Sequence, residues 1–432
     1  MKIKLGIIGS VETVERVKDI LIEFEEKIEA FIYCYKHKQE TLKILKECQK
    51  KVDVLLFTGQ VPFAIAQKEN MIQKPFVFIP RTGTSVYRVF WQMNVEGMDY
   101  KKISFDTIEQ KNIQEAIKDL EIPIEKFYVK SYPGDIDYNE LVKYHYELWK
   151  EKKVNVVATC LGETYRNLKK LGVPVFRLYP TRPLIREYIT KAIYKGNVER
   201  IKATQIAVQI VKTKNKNRSI SSEYEFLKLK NKLEKGLISY TQDNFGSIFP
   251  FGRDEYLIFT TRGAIDAHCN EFNIHHFIQD EQNIEIELAS GIGFGNTIHE
   301  AEVHARIALD YAMKEDCNCC YIMDENTVLS GPIQEKESFS LSYDLMVENE
   351  EIQKIAKDIQ ISPTYVCKMK AIFDKIGTNT IEAEELANYL GISVRSARRI
   401  LKQIVDAKYG KNVAQESRTG MGRPRKIYKI TF

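Results

Sequence analysis

Four cationic side chains recur at helical spacing near the C-terminal end of the chain, with a serine among them. They are Arg395, Ser396, Arg398, Arg399 and Lys402. The other face of the same stretch is apolar and carries Val394, Ala397, Ile400, Leu401 and Ile404. This pattern predicts a helix that begins after Ser393, a favourable N-cap, and ends near Ala407. Guanidinium groups on such a face can bond to guanine edges and phosphates, so the predicted chemistry is recognition of the DNA major groove.

The elements that would position this helix are also readable. Two helices are predicted before it, at Lys368–Ile376 and Glu382–Leu390, and two strands after it, at Lys411–Glu416 and Arg425–Thr431. The loop between the strands and the start of the second strand add further predicted DNA contacts, namely Arg418, Arg423, Arg425 and Lys426. A plain wing turn is favoured over a minor-groove hook for this loop. Residues 363–432 resemble the winged helix-turn-helix domains of bacterial transcription regulators, which implies double-stranded DNA as a partner.

Charge is distributed unevenly along the chain. Residues 361–432 hold fourteen Lys and Arg against six Asp and Glu, a net charge of +8, whereas the whole chain carries +5. The preceding 360 residues are therefore slightly acidic, at about −3. A localised basic excess is typical of phosphate binding. The alternative is a solvated basic helix in a small packing domain.

A pair of adjacent carboxylates, Asp254 and Glu255, lies in the turn Phe-Gly-Arg-Asp-Glu-Tyr between two predicted strands. Together with Ala-Ser-Gly-Ile-Gly before the next long helix, this order makes residues 204–330 resemble the GGDEF/nucleotide-cyclase fold, and most closely its GTP cyclohydrolase III branch. That resemblance implies divalent metals held by acidic residues on the first strand and the hairpin. Here Lys212 ends the first strand where the family has an acid, and Arg253 replaces the second hairpin glycine.

We therefore expect no catalytic residue and no metal site in this domain. The expected residual nucleotide site comprises Lys212, Gly252, Arg253, Asp254 and Glu255, and a nucleotide is the only cofactor that the sequence suggests. Binding without turnover and a purely dimerising role stay open. The alternative from another class is a GTP-hydrolysing, cyclohydrolase-like enzyme with an appended DNA-binding domain.

The first 200 residues alternate strands and helices, which predicts parallel α/β structure. Six strands are predicted, at Lys4–Ile8, Val52–Phe57, Phe76–Ile79, Phe127–Val129, Val154–Ala158 and Val175–Leu178. The segment from Lys51 to Thr82 is echoed by the segment from Lys153 to Thr181, so we expect two similar lobes with a cleft between them. The region distantly resembles the two-lobed N-terminal sensor of propionate-catabolism activators, which implies a small-molecule effector.

Ligands of open α/β sheets bind beyond the carboxyl ends of the strands. That rule predicts a cleft lined by Ser10, Thr58, Gly59, Gln60, Arg81, Thr82, Thr84, Ser85, Gly162, Glu163, Thr181 and Arg182. Free amides at helix starts favour an anionic ligand, and Arg81 and Arg182 are expected to face it from equivalent places. The alternative is that these residues are ordinary caps and turns.

Composition completes the prediction. Of the 432 residues 44% are hydrophobic and 28% charged, and no apolar run reaches membrane-spanning length, so no membrane partner is expected. The eight cysteines form no framework and favour the cytoplasm. The predicted fold is multidomain α/β: a bilobal parallel α/β sensor (1–200), a ferredoxin-like cyclase-type α+β domain (204–330), an acidic connector (331–362) and a winged helix-turn-helix (363–432). A homodimer or higher homo-oligomer is expected, and five histidines of the middle domain are expected at the surface, namely His268, His275, His276, His299 and His304.

Overall fold

The computed structural model describes residues 2–35, 40–130, 137–214, 223–267, 287–333, 340–416 and 425–432. The chain forms two compact units, Met1–Arg200 and Ile201–Phe432. No helix among the described residues is both long enough and apolar enough to span a bilayer.

The first unit contains two four-stranded parallel sheets with the same connectivity, orders β2-β1-β3-β4 and β6-β5-β7-β8. The strands are β1 Ile3–Ser10, β2 Ile28–Tyr35, β3 Val54–Phe57, β4 Phe76–Phe78, β5 Lys102–Asp106, β6 Lys126–Lys130, β7 Val156–Thr159 and β8 Val175–Arg177. The helices are α1 Val11–Leu21, α2 Thr41–Gln49, α3 Gln60–Lys68, α4 Gly83–Val95, α5 Gln110–Asp119, α6 Tyr138–Lys150, α7 Gly162–Lys170 and α8 Arg182–Ala203. Two α/β lobes of one topology explain the internal echo in the sequence.

The chain crosses between the lobes twice. Helix α4 follows β4 of the first lobe, but its Val86, Phe90 and Met93 belong to the core of the second lobe. Helix α8 follows β8 of the second lobe, and its Ile185 and Ile189 return to the core of the first. The two crossing segments, 79–82 and 178–181, therefore act as the covalent connections between the lobes.

Strands β2 and β5 were absent from the six-strand prediction. The β2 strand lies at a sheet edge and buries only Ile28 fully, and its near-continuous apolar run shows no alternation of apolar and polar residues that would mark a strand. The β5 strand is buried but carries Ser104 and Asp106, whose polar side chains are satisfied by His145 of α6. Local sequence does not reveal a partner so far along the chain.

The second unit is built on a seven-stranded mixed sheet of order β10-β11-β9-β12-β13-β14-β15. The elements are β9 Ile206–Thr213, α9 Glu223–Asp243, β10 Ser247–Phe251, β11 Glu255–Thr261, α10 Arg262–Ala267, β12 Leu288–Gly295, α11 Ile298–Ala312, β13 Cys319–Met323, β14 Val328–Ile333 and β15 Leu341–Asp344. The order of β10, β11, β9 and β12 is that of a ferredoxin-like sheet. The predicted closure of the sheet at Tyr321–Met323 was wrong, because β14 and β15 extend it.

Close contact between β12 and α11 depends on small residues. A Cβ atom on Gly293 would overlap backbone atoms of Ala301 and Ala305, so only glycine fits there. The alanines of α11 form the matching buried face, whereas Ile298, predicted on that face, is 54% exposed. The surface prediction for His304 was also wrong, since its buried Nδ1 lies 2.7 Å from the carbonyl oxygen of Phe294.

The stretch predicted as an acidic connector is instead part of the folded unit. It contains the end of β14, all of β15 and helix α12, Glu350–Ile359. Alternation in β15 buries Leu341 and Tyr343 while Ser342 and Asp344 are exposed, so the strand completes the sheet rather than linking domains.

The C-terminal elements are α13 Pro363–Ile376, β16 Thr380–Glu382, α14 Ala383–Leu390, α15 Val394–Asp406, β17 Gly410–Glu416 and β18 Arg425–Ile430. The three strands form a sheet of order β16-β18-β17. One apolar cluster runs without interruption from Tyr343 of β15 through Met369 and Phe373 of α13 to Leu401 and Ile404 of α15.

Candidate ligand cavity and candidate nucleic-acid surface

A cavity of about 230 Å³ lies between the two lobes of the first unit. The starts of helices α3 and α7 line it, at Gly59 and Gly162, and neither helix has a side-chain N-cap. Uncapped helix starts present backbone N–H groups and the positive end of the helix dipole, and both favour an anion. The volume is below the usual range for ligand pockets, about 300–1,000 Å³, and suits a small metabolite.

Two guanidinium groups stand at these helix starts, one from each lobe. A Cβ atom added to Gly59 would lie 3.3 Å from Nη2 of Arg81, and one added to Gly162 would lie 3.3 Å from Nη2 of Arg177. Arg81 follows β4, and Arg177 is the last residue of the equivalent strand β8. The internal echo of the fold therefore places one arginine against one glycine in each lobe.

Neither of these arginines forms an ion pair with a described residue. Arg81 donates to the carbonyl oxygens of Thr58 and Ile79, and Arg177 donates to that of Thr159, all at 3.4 Å. Such distances are long for strong hydrogen bonds. The Nε atom of Arg81 is buried and has no hydrogen-bond partner within the described ranges. Burial lowers the pKa of Arg81, and the positive charge of Arg177 lowers it further. An anionic ligand would compensate both charges.

Hydroxyl groups of the first lobe complete one wall. The Oγ1 atoms of Thr13 and Thr58 lie 2.7 Å apart, and Oγ of Ser10 lies 3.0 Å from Oγ1 of Thr13. At the mouth, Glu12 of the first lobe forms an ion pair with Arg166 of the second, and both residues line the cavity. This pair joins the lobes on the cavity side.

A buried polar network supports the second lobe beneath the cavity. Asp106 accepts from the backbone N–H of Cys160 at 3.0 Å and contacts His145, whose Nδ1 lies 2.8 Å from Oγ of Ser104. Cys160 lines the cavity, but burial, assisted by the charge of Asp106, raises the pKa of its thiol to about 11. A neutral thiol is a poor nucleophile, so Cys160 contributes to the lining of the cavity and is not a reactive group.

Seven of the twelve residues predicted for the cleft line the cavity: Ser10, Thr58, Gly59, Gln60, Arg81, Gly162 and Glu163. The remaining five, Thr82, Thr84, Ser85, Thr181 and Arg182, are outside its lining.

Local contacts explain the residues outside. Oγ1 of Thr84 lies 2.9 Å from Oγ1 of Thr82 and 3.4 Å from that of Thr181, and Ser85 is buried in α4. Arg182 is exposed and lies 3.8 Å from Asp19. The prediction that Arg81 and Arg182 face one ligand is therefore wrong, and Arg177 takes the place of Arg182. Arg177 was not predicted for the cleft because it lies within a strand.

The hairpin between β10 and β11 brings the predicted nucleotide residues together. Glu255 lies opposite Lys212 on the neighbouring strand β9. Its carboxylate is 3.7 Å from Nζ of Lys212 and 3.2 Å from Nη1 of Arg306 on α11. Gly252 has a φ of 70° in the turn, Arg253 is exposed and Asp254 is half-buried. The carboxylate that a metal would need is therefore already paired with two cationic side chains. The described residues contain no group of three or more potential metal ligands.

Helix α15 presents the predicted DNA-contacting residues. Arg395, Arg398, Arg399 and Lys402 are exposed, and none of them forms an ion pair with a residue that the structure describes. Ala397, Ile400, Leu401 and Ile404 are buried on the opposite side. Ser393 caps the helix through the N–H of Ser396, whose own hydroxyl lies 3.0 Å from that of Ser393. Lys426 is exposed on β18, whereas Arg418, Arg423 and the side chain of Arg425 lie outside the described residues.

No family model and no curated protein matches the chain. Among solved structures, it is similar to an NtrC family transcriptional regulator from Clostridium acetobutylicum, with 16% identity, a TM-score of 0.36 and coverage of 46% of this chain and 99% of that one. It is also similar to a periplasmic binding protein from Burkholderia mallei, with 12% identity, a TM-score of 0.26 and coverage of 54% of this chain and 72% of that one. For a LacI family transcriptional regulator from Arthrobacter sp. FB24, in complex with lactose, the identity is 9% and the TM-score 0.26, with coverage of 40% of this chain and 74% of that one. Similarities of this degree assign no function to the chain.

Proposed function

We propose that the protein is a ligand-responsive transcription regulator that binds double-stranded DNA through residues 363–432. The observation that carries this proposal is the two-sided character of α15. One side is anchored in the apolar core, and the other exposes four cations that form no ion pair with any described residue. An ordinary solvated helix of this length usually intersperses acids among its basic residues, whereas the only acid of α15 is Asp406 at its last position.

The surrounding elements support the same proposal. Helices α14 and α15 are joined by the short turn 391–393, in which Gly391 has a φ of 65°. Strands β17 and β18 form an antiparallel pair after α15, and Lys426 is exposed on it. In a winged helix-turn-helix, the second helix enters the major groove and the flanking elements contact phosphates.

The deciding experiment uses the full chain and double-stranded DNA enriched from a random library. Arg395→Ala/Arg398→Ala/Arg399→Ala should reduce affinity for the enriched sequence by at least about 100-fold, because base and phosphate contacts are both removed. The charge-matched control is Lys43→Ala/Lys46→Ala/Lys50→Ala, three exposed lysines of the first unit, and it should bind like the wild type. Full operator affinity in the arginine variant would exclude α15 as the recognition helix.

We further propose that the effector is a small anion bound between Gly59 and Gly162, with Arg81 and Arg177 as its counter-charges. Binding of this anion would close the two lobes, because a ligand that contacts both lobes favours the arrangement in which both contacts form. That change is the proposed input to DNA binding.

A homodimer is part of this proposal, since regulators of this kind read paired half-sites. Phe249 and Phe251 are each 55% exposed on β10, the edge strand of the seven-stranded sheet. Such a strand offers both apolar contact and unpaired backbone groups to a second copy. Sedimentation of the Phe249→Ser/Phe251→Ser variant should show monomers where the wild type shows dimers, and equal masses would exclude this surface.

Retention of nucleotide chemistry in the middle domain is the alternative function. The ion pairs of Glu255 with Lys212 and Arg306 argue against two-metal catalysis, because a cation held at that carboxylate opposes binding of a divalent metal. We propose that any nucleotide at this hairpin is bound without turnover.

A further inference from the structure

The first unit contains a second cavity, of about 510 Å³, which lies around Tyr179. Tyr179 belongs to the crossing segment 178–181, and cations surround its ring. The guanidinium carbon of Arg16 lies 3.9 Å from the ring centroid, that of Arg177 5.3 Å and that of Arg88 5.7 Å. A ring has two faces, so three cations exceed what cation–π attraction alone accounts for.

Among the described residues, acids do not balance the positive charge of this cavity. Arg16, Arg88, Lys169 and Arg177 all line it, against Glu96 as the one acid of the lining within the described ranges. In those ranges neither Arg16 nor Arg88 forms an ion pair, and Glu96 accepts instead from the Nε2 of Gln92 at 3.0 Å. Burial lowers the pKa of Arg88, and the charge of Arg16 lowers it further. The two guanidiniums therefore repel each other in a partly desolvated place.

The cations come from both lobes. Arg16 is on α1 of the first lobe, whereas Arg88 on α4 and Arg177 on β8 belong to the second. Like charges on opposite sides of a hinge oppose its closure, and an anion between them reverses the sign of the interaction. Arginine forks match the oxygens of carboxylates and phosphates, so the fitting ligand is an oxyanion.

We propose that the cavity around Tyr179 is a second anion site, which takes an oxyanion of at least two negative charges and holds the lobes together at the hinge. This site is separate from the effector cavity between Gly59 and Gly162, although Arg177 lines both. Occupation of one site thus alters the charge available to the other. The proposal adds a second input to the sensor and stands independently of DNA binding.

Calorimetric titration at constant ionic strength tests the site, with pyrophosphate and citrate as probes. Arg16→Gln/Arg88→Gln should weaken binding of at least one probe tenfold or more. Arg182→Gln, an exposed arginine outside both cavities, should change it less than about twofold. Preference for pyrophosphate would assign a phosphate-bearing ligand, and preference for citrate a polycarboxylate. Both results support the site.

Three outcomes would overturn it: no binding of either probe to the wild type, unchanged binding in the double variant, or loss of binding in Arg81→Gln, which would place the anion in the first cavity.

Thermal unfolding separates binding from a structural role. Without anion, the double variant should melt no lower than the wild type, because a repulsion has been removed. Pyrophosphate or citrate should raise the melting temperature of the wild type more than that of the double variant. A lower melting temperature of the variant, with the anion response retained, would show that the arginines only clamp Tyr179.

Discussion

The Nε2 atom of His145 lies 3.1 Å from Oδ2 of Asp106, and neither side chain is exposed to solvent. Burial alone would raise the pKa of Asp106. The hydrogen bond and charge of His145, with further hydrogen bonds from Thr159 and the backbone N–H of Cys160, outweigh it and hold that pKa below its ordinary value of 3.8. The carboxylate therefore ties β5, β7 and α6 together beneath the cavity between Gly59 and Gly162.

Asp106→Asn should destabilise the protein by about 3–5 kcal/mol, the cost of removing one partner from a buried pair. The folded pKa of Asp106 is depressed, so its contribution is complete above about pH 4 and is lost as the pH falls through the folded pKa. Urea unfolding at several pH values should show the gap between wild type and variant shrinking below pH 4. The exposed control Asp119→Asn should cost no more than about 0.5 kcal/mol. A gap that stays constant down to pH 2 would contradict the assignment.

The cavity between Gly59 and Gly162 predicts a selective thermal-shift response. In a panel of small carboxylates, phosphates, sugars and cationic amines, the compounds that raise the melting temperature at constant ionic strength should be anions, since Arg81 and Arg177 need counter-charges. Arg81→Gln should remove the response to ligands of this cavity, while Arg182→Gln should preserve it. Stabilisation by a neutral sugar, retained in Arg81→Gln, would contradict an anion site.

Packing of α11 on β12 predicts a costly glycine substitution. Gly293→Ala should destabilise the second unit by about 3 kcal/mol, because the added methyl group meets helix backbone rather than a movable side chain. Gly83→Ala is the matched control, since its Cβ would have no neighbour nearer than 3.7 Å and it lies in the first turn of α4. Denaturant unfolding measures both, and equal stability of the two variants would refute the close packing.

No release of formate, pyrophosphate or phosphate from GTP is expected in the presence of magnesium. Lys212→Asp alone should not create turnover, because Arg306 would still neutralise Glu255. Product release measured by chromatography checks this, with Asp254→Ala as the blank. Turnover that is proportional to protein and lost in Asp254→Ala would make the protein an enzyme.

Local patterns predicted the elements whose environment is local. The amphipathic repeat and the Ser393 cap define α15 within one residue, and Gly377 and Gly391 end α13 and α14 at positive φ as their positions suggest. The cavity residues Thr58, Gly59, Gln60 and Gly162 were predictable because they follow buried strands.

Long-range contacts set the limit of prediction. Asp106 in β5 depends on His145 of α6, and Arg177 depends on Gly162 at the start of α7, so neither is apparent from neighbouring residues. Residues 331–362 look like an acidic linker for the same reason. The few apolar side chains of that stretch, such as Tyr343 and Ile355, become core only when α13 and α15 pack on them.

The uninterrupted apolar cluster from β15 to α15 has a consequence for cooperativity. Because Tyr343, Met369 and Leu401 share one core, the sheet and the C-terminal helices should melt together, and calorimetry of residues 201–432 should show one heat-absorption peak. A protein cut before Pro363 would expose the apolar side chains at that junction to water on both fragments. The C-terminal helices are thus no detachable module, and heat, denaturant or proteolysis should remove them only together with the sheet that carries them.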